Sequence, residues 1–302
     1  MHFPHIRLWE NKIEDNGVVA YWSFDEESGD IAYDGSGNNN NGTLENGPQW
    51  VDGISGSALE FDGVDDYVNI NGQLLNDNIT FSLWYNKENY DNITEGSYFE
   101  GLVTNLEDTT SGLAIRIRDH YDGLPDVVCS LYDDNDYKTK VRADVENYTG
   151  VWTHITCKYS PSEGITIYVN GLQVDTSDSY SSVTHSNWLM VGGVPEYWGD
   201  GKVHPLDGKL DEVAIWNRAL SSEEISELYD SYELPMDNQI PMVGSISINP
   251  NPVKETLTLY LSETLRGVTH VTIFNTKGQR IYGKSFIGNW KVLELDVAEY
   301  KK

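Results

Sequence analysis

Short apolar runs alternate with polar residues along most of the chain, and each run ends at a cluster of Gly, Asn, Asp or Ser. A period of two between turn residues predicts half-buried strands. Leu113, Ile115 and Ile117 alternate with Ala114, Arg116 and Arg118, giving one strand an apolar and a basic face. Val18 to Phe24, Thr80 to Tyr85, Trp152 to Tyr159, Ile165 to Val169 and Trp188 to Gly193 are further strands. Asn170-Gly171 is a strong two-residue hairpin turn into Leu172 to Val174. Phe61 to Tyr67 reads as a hairpin around an acidic Gly turn. Val127 to Tyr132 and Lys138 to Val141 read as strands about the acidic turn Asp133 to Asp136.

The period changes once. Gly208 to Trp216 continues as a strand, and simple alternation puts Asp211 and Glu212 on opposite faces. Ser221-Ser222-Glu223-Glu224 then signals a helix start, because a serine hydroxyl caps orphan amides and acids suit the positive helix end. Ile225, Leu228 and Tyr229 follow at helical spacing. Beyond Tyr232 the stretch ELPMDNQIPM has two prolines and no period, which predicts a linker. The expected division is an N-terminal extension over 1–15, a first domain over 16–232, a linker over 233–244 and a second domain over 245–302.

Composition agrees with an all-β chain: 19 Tyr, 9 Trp and 27 Gly among 302 residues. The formal charge of -28 excludes nucleic acid as a partner, since a polyanion needs Lys and Arg to displace its counterions. The charge is uneven: residues 1–240 hold 12 Lys/Arg against 43 Asp/Glu, and residues 241–302 hold eight against five. No apolar run is long enough to span a membrane, so the chain is expected not to cross one. MHFPHIRLWENK lacks the apolar core of a signal peptide, which leads us to expect a mature or partial chain. Cys129 and Cys157 both sit in strand-like runs, where pairing across neighbouring strands and two buried free thiols are both open.

GKLDEVAIWNRALS resembles the closing strand of the laminin-G-like, concanavalin A-type jelly roll. VVAYWSFDEESGDIAYDGSGNNNNGTL resembles that family's first strand and loop, and ALEFDGVDDYV its next strand pair. TFSLWY and Trp152-Thr153-His154-Ile155 fall where the family has internal strands. The resemblance implies a concanavalin A-like jelly-roll sandwich. SISINPNPVKETLTLYL, VTIFNTKGQRIYGKSF and LELDVAEYKK resemble the C-terminal sorting domain of type IX secretion cargo in Bacteroidota. That implies a small β-sandwich-like second domain, incomplete at Lys302, and a secreted or cell-surface location.

The jelly-roll resemblance implies a calcium held by Asp25, Asn41 and Asp211, with Asp34 beside them. Calcium takes six to eight oxygens in irregular geometry, which such loops supply, although Asp and Asn also favour turns without any metal. Sugar recognition uses aromatic platforms with charged and amide groups around them. Trp22, Trp84, Trp152 and Trp216 are expected in the core. Tyr132, Tyr137, Trp188, Tyr197 and Trp198, with Arg116 and Arg118, are the ligand candidates, and the arginines suit an acidic or sulfated polysaccharide. Catalysis is the rival class. A retaining glycosidase needs two carboxylates about 5 Å apart, but the chain lacks E-x-D-x-x-E, the lyase motifs R-[ST]-E-L and Q-[IV]-H, H-E-x-x-H and G-x-S-x-G. We therefore expect a secreted, non-catalytic, calcium-stabilised carbohydrate-binding or adhesion module, accessory to polysaccharide recognition, with an upstream catalytic domain among its candidate partners. The alternatives are a protein-binding or structural spacer module and, behind it, a hydrolase or lyase of the same fold.

Overall fold

The computed structural model describes residues 17–72, 74, 77–90, 99–105, 112–119, 125–133, 136–145, 148–180, 188–194 and 204–232, and the strand backbones of a second unit. The chain divides into compact units 1–239 and 240–302. The expected extension and linker lie outside the described residues.

In the first unit the strands are β1 (Val18–Trp22), β2 (Ile31–Ala32), β3 (Gly42–Glu45), β4 (Gln49–Asp52), β5 (Ser57–Asp62), β6 (Tyr67–Asn71), β7 (Ile79–Asn86), β8 (Phe99–Thr104) and β9 (Gly112–Asp119). They continue as β10 (Pro125–Asp133), β11 (Asp136–Asp144), β12 (Thr153–Ser160), β13 (Gly164–Val169), β14 (Leu172–Thr176), β15 (Trp188–Val191), β16 (Gly193–Val194), β17 (His204–Pro205) and β18 (Asp207–Trp216), before helix α1 (Ser222–Asp230). Among the described residues sixteen of these form two eight-stranded sheets, and β16 and β17 pair with each other. The back sheet runs β14-β13-β12-β7-β18-β5-β4, with β1 also on β18; the front sheet runs β11-β10-β9-β8-β15-β6-β3-β2.

The period of two explains the sandwich. Leu113, Ile115 and Ile117 of the front sheet meet Phe81, Leu83, Ile155 and Ile167 of the back sheet in one buried core. Alternate residues of the same strands face outward. Cys129 on β10 and Cys157 on β12 are disulfide-bonded, so the bond joins the two sheets through the core rather than neighbouring strands. A buried Lys87–Glu100 ion pair at 2.9 Å also ties β7 to β8. Asn170 and Gly171 turn β13 into β14 with φ of 51° and 76°, as expected for an Asn-Gly hairpin.

Phe61 to Tyr67 is not a hairpin. β5 pairs with β4 and β18 in the back sheet, whereas β6 pairs with β3 and β15 in the front sheet. The acidic segment is a corner between sheets. Asp62 Oδ1 accepts from the Val64 amide at 2.8 Å and Asp66 Oδ2 from the Asp62 amide at 3.1 Å. The same turn chemistry serves either geometry, so local sequence does not distinguish them.

Helix α1 has the expected cap. Ser221 Oγ accepts from the Glu224 amide and Glu224 Oε2 from the Ser221 amide, at 3.2 and 2.8 Å. Ile225 and Leu228 pack with Tyr168, Ala214 and Trp216 on the outer face of the back sheet. Trp84 lies under Tyr229 and Tyr232, with ring centroids 5.6 and 5.2 Å apart. Trp22, Trp84, Trp152 and Trp216 are all buried. His154 is buried beside Trp84 with Nε2 bonded to Ser82 Oγ at 2.7 Å, a structural role.

In the second unit, β19 (Ile246–Asn249), β20 (Thr256–Leu265) and β23 (Trp290–Asp296) form one antiparallel sheet, and β21 (Val268–Phe274) and β22 (Arg280–Ile287) a second.

The inter-sheet disulfide closes a sequence separation of 28 residues. Loop-closure entropy assigns such a bond about 3–4 kcal/mol. Cys129→Ala combined with Cys157→Ala is expected to lower unfolding free energy by that order in urea titration. A loss below about 1 kcal/mol would show that the sheets hold together without it.

Candidate functional site

Asp211 and Glu212 stand on β18 between Leu210 and Val213, both of which lie in the core. Alternation would separate the two acids, but a bulge intervenes: Asp211 pairs with Trp84 and Ala214 with Ser82, so β18 takes three steps against two on β7. Glu212 absorbs the extra residue at φ 53°, a left-handed conformation that costs a non-glycine residue about 1–2 kcal/mol. The opposite-face expectation is thus corrected: both acids lie on the outer side of the back sheet.

The bulge falls where β18 exchanges edge partners. β5 pairs through Leu210, and β1 takes over at Val213. Side chains fill the gap. Asp211 Oδ2 accepts from the amides of Ile54 and Ser55 at 2.8 and 3.2 Å. Glu212 Oε2 accepts the hydroxyls of Tyr21 and Tyr232 at 2.5 and 2.7 Å. Asp211 is 0% and Glu212 6% exposed, which keeps this pair from a polymer substrate.

Asp25, just after β1, belongs to the same cluster. Its Oδ1 accepts from the Ser57 amide at 3.0 Å, and Phe24 before it sits at φ 53°. Asp25 and Asp211 thereby hold opposite ends of the turn from Gly53 to Ser57. A side chain at Gly53 would strike Asp211, and one at Gly56 would strike Asp25. Burial pushes the Asp211 carboxyl well above its ordinary range; neighbouring Glu212 and Asp25 push it further, against the two amides. Burial also raises Glu212, with Asp25 adding to it against the two tyrosine hydroxyls. Asp211 Oδ1 is buried without a hydrogen-bond partner.

Asp34 and Asn41 lie in a separate network. Asp34 accepts the amides of Tyr21, Ser36 and Asn40 at 3.0, 2.8 and 2.9 Å, and Asn41 Oδ1 accepts the Asp34 amide at 2.9 Å. Asn38 and Asn40 donate to the Val19 carbonyl at 3.2 and 2.7 Å. The Asn-rich loop thereby covers the β1 edge. A further carboxylate trio, Asp62, Asp65 and Asp66, forms at the sheet corner, largely exposed.

The outer face of the front sheet carries the basic stripe. Arg116 is 8% exposed; it donates to Ser130 Oγ at 3.1 Å and to Tyr132, and its guanidinium lies 4.7 Å from the Phe99 ring centroid. Phe99 in turn packs on His204. Arg116 and the buried Tyr132 therefore hold this face together and offer a ligand little surface. Arg118 is more open, with its side chain 27% exposed and 4.0 Å from Asp126. Trp188 is half-buried, donating to Asn69 Oδ1 at 2.6 Å. β8 carries Phe99 and Gly101 opposite Arg118 and Arg116 but meets β15 at Val103 and Thr104, so Trp188 lies towards the other end of β8 from the arginines. Gly101 is required there, since a side chain would strike Gly193. Tyr197, Trp198 and the side chain of Tyr137 lie outside the described residues.

Two further cations join Arg118. Across β9, β10 and β11 the register runs Arg118–Asp126–Asp144 and Arg116–Val128–Arg142, with Lys140 opposite Ser130. Arg142 reaches Asp126 at 3.9 Å and has a 40% exposed side chain. Lys140 also lines a cavity of about 440 Å³ with Thr139, Thr176, Ser177, Asp178, Ser179 and Tyr180, at the edge where β11 meets the end of β14. Lys140 and Arg142 were not singled out from sequence, although the signal existed. Lys138, Lys140 and Arg142 recur at every second residue, and five of the 12 cations in residues 1–240 lie on β9 and β11.

Residues 62–226 match the model of the concanavalin A-like lectin/glucanases superfamily, and residues 247–302 that of the secretion system C-terminal sorting domain. The chain is 24% identical over 248 residues to Paraclostridial mosquitocidal protein 1 of Paraclostridium bifermentans, aligning 75% of this chain but only 18% of that protein. The solved binding domain of that protein superposes with a TM-score of 0.58 at 16% identity, covering 94% of this chain and 71% of the domain. The botulinum neurotoxin serotype D binding domain gives 0.56 at 15%, covering 86% and 61%. Domain 4 of AbnA, an extracellular GH43 arabinanase of Geobacillus stearothermophilus solved with arabinotriose, gives 0.52 at 20%, covering 72% of this chain and all of that domain. Among the described residues no helix is long and apolar enough to cross a membrane.

Proposed function

The chain belongs to the concanavalin A-like lectin/glucanases superfamily, and from that premise we propose that its first unit is a non-catalytic polysaccharide-binding module of an exported protein. The observation that carries this is the contrast between the sheets. Helix α1 covers the back sheet's outer face with apolar packing, while the front sheet exposes Arg118 and Arg142 in a chain of formal charge -28. Cations gathered on one face of a polyanion favour an anionic polymer there, because the rest of the surface repels it. The solved complex of the arabinanase domain with arabinotriose supports a sugar ligand for this fold. Export has two independent supports: the sorting-domain match and a core disulfide, which persists in oxidising compartments.

Calcium completes the reading. Asp25 and Asp211 suit it: they converge on one turn, each beside a left-handed non-glycine residue, and one buried Asp211 oxygen has no partner. A cation there would offset the mutual repulsion of Asp25, Asp211 and Glu212 and offset the strain. Asp34 and Asn41 would organise the neighbouring loop.

Two measurements test this. The full chain, run in native gels containing laminarin, alginate, carrageenan, xylan or chitin, is expected to be retarded by an anionic polymer; retardation by none moves the reading to a protein-binding or spacer module. Chelation is expected to lower the melting temperature, since a site at 100 times its Kd contributes about 2.7 kcal/mol. Asp211→Asn is expected to remove the calcium-dependent difference, and its persistence would place the ion elsewhere.

A further inference from the structure

Arg116 is enclosed by Phe99 and Tyr132 and offers an anion little access, whereas Arg142 at the edge of the sandwich is more open. We propose that Lys140, Arg142 and Arg118, with the cavity formed by Thr139 and the segment Thr176 to Tyr180, bind one anionic sugar residue of the polymer. This rests on the binding-module reading and names the subsite and the ligand's charge.

Three observations converge. The cavity is an open groove of about 440 Å³, room enough for one sugar residue of a polymer that runs on across the surface. Its lining of Thr, Ser, Asp and Tyr side chains offers hydroxyl donors and acceptors matching a sugar's rim, and Tyr180 supplies an aromatic group. Lys140 belongs to both the cavity and the cationic cluster. Its ammonium is held below its ordinary pKa first by burial, then by Arg118, Arg142 and Arg116, with Asp126 opposing them. Lys140 and three arginines therefore share this lip with Asp126 and Asp178. Arg142 is fixed from behind, its backbone amide bonded to Asp175 Oδ2 at 3.0 Å, which couples the end of β14 to β11.

A sugar ring in the cavity would place its substituent at Lys140, and a carboxylate or a sulfate ester satisfies the same cations. Neighbouring residues of the polymer would run across Arg142 and Arg118. Part of the affinity is then counterion release, falling as salt rises.

The test measures affinity of the full chain for polygalacturonate, its fully methyl-esterified form, a sulfated galactan and the unsulfated galactan. The wild type is expected to bind at least one charged polymer tenfold or more tightly than its neutral counterpart. Lys140→Gln and Ser179→Trp, one removing charge and one filling the cavity, are each expected to weaken binding about tenfold with an unchanged melting temperature. Where Lys140→Gln alters melting, Arg142→Gln replaces it. Polygalacturonate alone identifies a uronate, the sulfated galactan alone a sulfate ester, and both a shared anion site. Equal affinity for charged and neutral forms, or wild-type binding by either variant, overturns this subsite and leaves the binding module standing. Absence of binding to every polymer, neutral ones included, overturns both.

Discussion

Strand β18 must serve two edge partners in succession, and the fold depends on how the change is made. β5 covers its first residues and β1 its last, with β7 along the other side. A plain strand would leave backbone groups unpaired at the gap. The bulge at Glu212 turns two acids outward, and these engage the Gly53–Ser57 turn, Tyr21 and Tyr232. One strained residue thereby anchors the first strand, an early turn and the segment after α1. Buried carboxylates are costly without donors, so the cluster demands its amides, its tyrosines and, in our reading, a cation.

The consequence for function is a division of labour between faces. The back sheet's outer surface is taken up by α1 and the carboxylate cluster, so the recognition we propose falls to the front. There the cations are arranged in cross-strand register by the antiparallel pairing of β9, β10 and β11. Core residues of the same strands hold the register, because a slip by one would bury the cations and expose Ile115, Val127 and Val141. In the proposed reading, the cations gathered at this edge of an acidic chain are what an anionic ligand would meet.

Much of the sandwich was legible in the chain. Alternation located β9, β12 and β13; Asn170-Gly171 fixed a hairpin; Ser221 and Glu224 fixed the helix start; and the four tryptophans lie in the core as read. What failed shares a cause. The Phe61–Tyr67 corner, the Asp211–Glu212 bulge and the inter-sheet disulfide are each set by which sheet a strand joins, and local pattern does not encode that. The same holds for the cations. Arg118 and Lys140 are far apart in sequence and meet only through register, whereas Arg116 looked equivalent to Arg118 until Phe99 and Tyr132 enclosed it. Asp34 shows the same limit, because a turn aspartate and a calcium ligand have the same local sequence.

Hydrogen–deuterium exchange of the full chain with and without an anionic oligosaccharide tests most directly whether the front edge is the recognition surface. The account predicts added protection in β11 and in residues 176–180, with the Gly53–Ser57 turn and α1 unchanged. Protection confined to the back sheet or helix, with none at that edge, would contradict it.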